Sequence, residues 1–259
     1  MSIAFGGSFC KLQSAMIPRP DQVRAPRGAI TQFSPAARKR LLELVSSINQ
    51  AKQARLPLFV TLTYPATWPD EPAVWKRHLD SFLKRLDRKF TRCAAIWKLE
   101  FQRRGAPHFH LMVFGPGWID AKWCARAWYQ IVGSGDERHL MAGTQVARVK
   151  SWRGVMFYAA KYLGKVVGDA CAGMVGRFWG VHRREYLPIE LITIQMDFCQ
   201  FFRLRRLLLR WVQGGQGAIA AKRKNGGGAW SPRISAEHQG FTLFREAARV
   251  VQLLRSIER

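Results

Sequence analysis

Acidic side chains are scarce in this chain: 17 Asp and Glu stand against 42 Lys and Arg. The formal charge of +25 and the sequence pI near 11.0 call for a polyanion as partner. A compact domain so charged repels itself unless phosphates neutralise it. Cysteine is thin as well. Cys10, Cys93, Cys124, Cys171 and Cys199 form no C-x-x-C and no even framework, which argues against a disulfide scaffold or a cysteine zinc site. They suit the reduced, mostly buried thiols of a cytoplasmic protein. No apolar run approaches the roughly 18 residues that cross a bilayer, so no membrane partner is expected. The N-terminal Met1-Ser2-Ile3-Ala4-Phe5-Gly6-Gly7 lacks a basic region followed by an apolar stretch, so it does not read as a secretory signal. No repeat period is visible.

What the chain does have is arginine scattered along its length with ten tryptophans among it. That mix suits a groove that tracks a nucleic-acid backbone and stacks its bases. A solvated basic surface without function is the plain alternative. At 259 residues and 48% hydrophobic, the chain can build one sizeable core, or one core with appendages.

Residues 1–33, rich in proline and glycine, read as a flexible N-terminal arm. Ser34-Pro35 supplies an N-cap with proline at the first helical position, and residues 36–52 keep apolar side chains at helical spacing. Residues 58–63 are β-branched and apolar, a strand ended by Tyr64-Pro65. A helix is expected over 72–90, strands over 94–101 and 107–114, a helix over 119–132, a strand over 145–149 and a helix over 152–163. Strand-helix-strand-strand-helix-strand is the split βαβ order of a ferredoxin-like α+β fold, an antiparallel sheet of about five strands with helices packed on it. This domain is expected over 34–195. Residues 196–259 form a basic helical C-terminal extension, with helices over 198–212 and 241–257 around a Gly-rich linker at 214–228.

Two short stretches carry the chemistry. In Pro107-His108-Phe109-His110 the strand period of two sends both imidazoles to one face. Two neutral imidazoles side by side are half of a divalent metal site. Six histidines make an H-x-H unspecific by itself, and the neighbouring strand gives it meaning. If Arg103-Arg104-Gly105 is a three-residue hairpin loop with Gly105 left-handed, residue 102 pairs with 106 and Glu100 with His108. One carboxylate and two imidazoles then share a face. The alternative for Glu100 is a surface acid paired with Lys98 or an arginine.

In Tyr158-Ala159-Ala160-Lys161-Tyr162, two phenols four apart share one helical face with Lys161 near. A phenol ionises near pH 10, so a nucleophilic tyrosine needs a neighbouring cation or a base. Lys161 offers the cation. The alternative is a tyrosine that anchors the core with its hydroxyl on a polar partner. A metal beside paired phenols is equipment for attacking a phosphate ester.

With these residues the chain resembles the HUH endonucleases of rolling-circle replication over about residues 57–182. Phe59-Val60-Thr61-Leu62-Thr63-Tyr64 looks like the first motif, a strand supporting the site. Glu100 with Gly105, Pro107, His108, Phe109 and His110 looks like the second, metal-binding motif. Tyr158 to Tyr162 followed by Gly164-Lys165 looks like the third, and Gly176-Arg177-Phe178-Trp179-Gly180 like a segment that follows it. The resemblance implies Mg²⁺ or Mn²⁺ at Glu100, His108 and His110, and nicking and joining of single-stranded or hairpin origin DNA through a 5′-phosphotyrosine. It implies DNA contacts from Arg103, Arg104, Lys165 and Arg177. Either Tyr158 or Tyr162 makes the first cut, Tyr158 being favoured, and the other serves termination or strand transfer. No GxxxxGK[ST] occurs, so a host helicase is expected as partner, together with a polymerase. A transposase of the same superfamily would share every catalytic residue. A non-catalytic single-strand-binding module would use only the basic and aromatic side chains.

Overall fold

The computed structural model describes residues 1–13, 28, 30–53, 55–152, 154–155, 175–214, 242–243 and 247–255. Its chain divides into two compact units, Ala25–Val45 with Gln50–Pro188, and Met1–Arg24 with Ser46–Asn49 and Ile189–Arg259.

The N-terminus corrects the expected arm. Residues of β1 (Ser2–Gly6) and β2 (Phe9–Gln13) pair antiparallel, with Ile3 opposite Leu12 and Phe5 opposite Cys10. These four side chains are at most 4% exposed. Their strands belong to a sheet ordered β8-β1-β2-β9, whose outer members are β8 (Ile192–Gln195) and β9 (Thr242–Leu243). Phe201, Leu204 and Leu208 of the helix Phe198–Gly214 close the same core, with Val250 and Leu254 of the helix Ala247–Arg255. Residues 196–259 are therefore not a helical extension alone; their described part shares a core with the first thirteen residues. The Gly-rich stretch expected as a linker lies, beyond Gly214, outside the described residues.

The other unit follows the expected element order. α1 (Pro35–Ser46) begins where Ser34 Oγ accepts from Ala37 N at 3.2 Å. β3 (Leu58–Thr63) buries Leu58, Val60 and Leu62 in strict alternation. α2 (Pro72–Lys89) opens on proline and buries Trp75, Leu79, Phe82, Leu83 and Leu86, a stripe at helical spacing. β4 (Ala94–Phe101) and β5 (Pro107–Phe114) form a hairpin. α3 (Ala121–Val132) is capped by Asp120, whose carboxylate accepts from Lys122 N and Trp123 N, and ends at left-handed Gly133. The short α4 (Glu137–Ala142), not foreseen in the sequence, leads into β6 (Thr144–Arg148).

All neighbours in the sheet β6-β3-β5-β4-β7 are antiparallel, which is the α+β arrangement expected. The edge strand β7 (Trp179–His182) has a clear reason for its glycine. A Cβ on Gly180 would stand 2.8 Å from the Trp97 ring, so only glycine lets the strand lie against that indole. Of the helix expected over 152–163, Trp152, Gly154 and Val155 are described; Tyr158, Lys161 and Tyr162 lie outside the described residues, as does Lys165. No helix among the described residues is long and apolar enough to cross a membrane.

Candidate functional site

The hairpin loop fixes the site. Gln102 N donates to Ala106 O at 3.0 Å, and Gly105 sits at φ +82°, a region closed to most side chains. The three-residue loop sets Glu100 opposite His108 and Lys98 opposite His110. On the other side of β5, Thr63 stands opposite His108 and Thr61 opposite His110. Directly paired residues share a face, so six polar side chains from three adjacent strands line one side of the sheet. The opposite side takes Val60, Leu62, Leu99, Phe109 and Leu111, each at most 1% exposed.

Within the polar face, the two imidazoles meet edge to face with centroids 4.4 Å apart. Each turns Nδ1 to a threonine of β3: Thr63 Oγ1 is 2.9 Å from His108, and Thr61 Oγ1 is 3.4 Å from His110. Engaging Nδ1 in this way directs Nε2 toward the neighbouring strand. Nε2 of His110 is 3.4 Å from Glu100 Oε2, while Glu100 Oε1 accepts from Lys98 Nζ at 2.5 Å. Lys98 and Glu100 are 2% and 4% exposed. The acid anticipated as a surface partner of Lys98 does pair with it, but inside the protein.

Thr63 is held from behind. Its carbonyl accepts from Trp128 Nε1 at 2.8 Å and faces His139 Nε2 at 2.8 Å. The other ring nitrogen of His139 lies 2.8 Å from Ser134 Oγ. Burial lowers the His139 pKa, with opposition from the Thr63 carbonyl and Asp136. The ring is 5% exposed and is kept neutral, donating to Thr63.

Does this donor set suit a divalent ion? Ligands at about 2.1 Å around an octahedral ion stand roughly 3 Å from each other, close to the 3.4 Å between His110 Nε2 and Glu100 Oε2. Two imidazoles and a carboxylate are chemically apt. As they stand, no three His, Cys, Asp or Glu side chains among the described residues are gathered into a finished cage. Glu100 is the member held back, because Lys98 has one of its oxygens.

The basic residues expected to touch DNA are placed differently from one another. Arg103 and Arg177 are exposed. Arg104 is engaged by its own chain: its guanidinium donates to Tyr64 O and Pro65 O, both at 2.5 Å, and lies 5.0 Å from the Trp68 ring. It ties the hairpin loop to the end of β3. Sequence reasoning missed the roles of Lys98 and His139. It read Thr61 and Thr63 only as part of a supporting strand.

The strands that carry this histidine pair, carboxylate and threonines also fall within a region of family likeness. Residues 57–167 match the model of the replication-associated protein family of the ORF2 type. The chain is 27% identical over 219 residues to the replication-associated protein of Pseudomonas phage Pf3, covering 79% of this chain and 75% of the phage protein. It is similar to two candidate replication proteins of Xylella fastidiosa. One, from strain Temecula1, is 29% identical over 73% of this chain and 76% of its own length. The other, from strain 9a5c, is 26% identical over 73% and 71%. No solved structure matches. Together these likenesses support a replication initiator.

Proposed function

We propose that this protein initiates rolling-circle replication by nicking and rejoining single-stranded or hairpin origin DNA. The observation that carries the reading is the pair His108 and His110, set on one sheet face with Nδ1 of each on a β3 threonine and Glu100 alongside. This face lies inside the segment that matches the replication-associated family.

Glu100, His108 and His110 would hold Mg²⁺ or Mn²⁺, which when bound supplies Lewis-acid polarisation of the scissile phosphate. The chain's own residues do the rest. The phenol oxygen of Tyr158 or Tyr162 forms a bond to phosphorus as the bond to the 3′-oxygen breaks. The phenol's proton is lost and the departing 3′-oxygen takes one up, so charge and protons balance. The 5′ end stays on the protein as a phosphotyrosine, and the 3′-hydroxyl primes synthesis by a polymerase. Because the ester energy is conserved in that linkage, a later 3′-hydroxyl can attack it and reseal the strand without ATP. Tyr158 makes the first cut and Tyr162 the second, with Lys161 offsetting phosphate charge. Arg103, Arg177 and Lys165 bind backbone phosphates. Strand separation falls to a host helicase in the bacterial cytoplasm.

Incubating a labelled single strand carrying a candidate origin with the protein and Mn²⁺ tests the reading. A covalent protein–DNA adduct that maps to Tyr158 or Tyr162 is the expected product. Binding without cleavage would leave a non-catalytic single-strand-binding protein.

A further inference from the structure

A buried ammonium beside the ligand set needs an explanation that the proposed reaction does not give. Lys98 is 2% exposed, donates to Glu100 Oε1 at 2.5 Å, and holds its charge 4.9 Å from the centre of the Phe33 ring. Taking an ammonium out of water is costly, and a partnered carboxylate and an aromatic face are what keep it charged there. A site meant to hold a divalent cation thus already contains a monovalent one, on the residue expected to be its anionic ligand.

We infer that Lys98 is a built-in competitor of the divalent ion for Glu100. This rests on the metal reading of the same site. With Oε1 engaged by the lysine, Glu100 turns Oε2 to the side of His110. Its negative charge is matched before any ion arrives. Like charges a few ångströms apart inside a protein repel by several kT, so the protein alone holds the ion weakly. A phosphate oxygen of the DNA supplies the missing negative charge, and the ion is held firmly only when substrate is present. Lys98 in this way makes metal loading depend on DNA and guards the nuclease from acting as a standing ion site.

Removing Lys98 reverses the balance. Truncating one member of a buried ion pair leaves the other uncompensated, and the divalent ion then becomes the partner Glu100 lacks. The test is Mn²⁺ titration of the full chain by calorimetry, with and without single-stranded oligo(dT), alongside the thermal shift that saturating Mn²⁺ produces. Wild type is expected to bind Mn²⁺ weakly alone and markedly tighter with oligo(dT). Lys98→Met is expected to bind Mn²⁺ alone on the order of tenfold or more tighter than wild type. It should show a larger Mn²⁺-induced thermal shift and a smaller gain from oligo(dT). Lys98→Gln keeps a hydrogen-bond donor without the charge and gives the same reading where Lys98→Met does not fold. Lys98→Arg should keep the wild-type pattern. Equal or weaker Mn²⁺ binding by both uncharged variants overturns the inference, and so does a gain that survives adding Glu100→Gln. Binding that is lost in His108→Ala/His110→Ala yet does not rise without Lys98 overturns this inference alone. Absence of Mn²⁺ binding in every variant, with and without oligo(dT), overturns the metal reading as well.

Discussion

Thr63 holds its hydroxyl 2.9 Å from Nδ1 of His108, across a register that also places Glu100 on the far side of the same histidine. With Nδ1 as donor to that hydroxyl, Nε2 is left as the ligating atom, and the ring is fixed in one orientation. Outer-shell partners of this kind typically carry about 10–100-fold in metal affinity or activity. Thr63→Val, nearly isosteric, should therefore weaken Mn²⁺ binding and cleavage by that factor with little change in melting temperature. Thr63→Ser should retain both. A valine variant with wild-type Mn²⁺ affinity would show that the hydroxyl does not orient the ligand.

His139 supports the same strand end through the Thr63 carbonyl, and its pKa is lowered by burial. His78 is lowered by burial and then by Arg77. A histidine with a depressed folded-state pKa binds fewer protons folded than unfolded. Its stabilising contribution is therefore full above the unfolded value of about 6.5 and is lost as pH falls below that. Urea midpoints should drop on acidification from about pH 7 to about pH 5. His139→Gln should lower stability at neutral pH and flatten the acid slope. An unchanged slope in that variant would show that His139 does not titrate in the way its burial requires.

How much of the fold and site is legible in the sequence varies with how local the determinants are. The β4–β5 register is readable because a three-residue loop with glycine at the left-handed position leaves one pairing, and Gly105 at φ +82° takes that role. The polar face follows from strand alternation. The strands β1 and β2 are not readable, because Ile3, Phe5, Cys10 and Leu12 are a short apolar signal ahead of a proline-rich stretch. Their outer partners, moreover, lie some 180 residues or more further along, in β8 and β9. Lys98 reads as a surface cation because nothing local says what covers the sheet face; its burial is a tertiary fact.

Thiol reactivity offers a check on two buried cysteines and their surroundings. Burial pushes Cys93 up to about 12, with Asp87 adding to the shift, and burial pushes Cys124 up to about 12 as well. At about pH 8 neither holds an appreciable thiolate fraction, whereas Cys199 is exposed. Iodoacetamide on the native protein should modify Cys199 and spare Cys93 and Cys124 until denaturant is added. Rapid labelling of Cys124 in the native state would contradict the packing of α3.

With a net charge of +25, DNA binding should run mainly through phosphates and counterion release. The logarithm of affinity for a random single strand should fall steeply and linearly with the logarithm of salt. Arg103→Ala and Arg177→Ala, which remove exposed cations, should each reduce that slope by about one. Arg104→Ala should instead lower stability, since its guanidinium is spent on the carbonyls of Tyr64 and Pro65. A nearly flat salt dependence would leave the charge without its proposed partner.

The most direct test of the central claim is cleavage of a labelled single-stranded origin oligonucleotide by wild type, by His108→Ala/His110→Ala and by Tyr158→Phe/Tyr162→Phe. Wild type should give a Mn²⁺- or Mg²⁺-dependent nick with the 5′ end bound covalently to the protein. Neither double variant should nick, while both still bind DNA at low salt. Cleavage in excess chelator, or a covalent adduct formed by the double phenylalanine variant, would contradict the proposed chemistry.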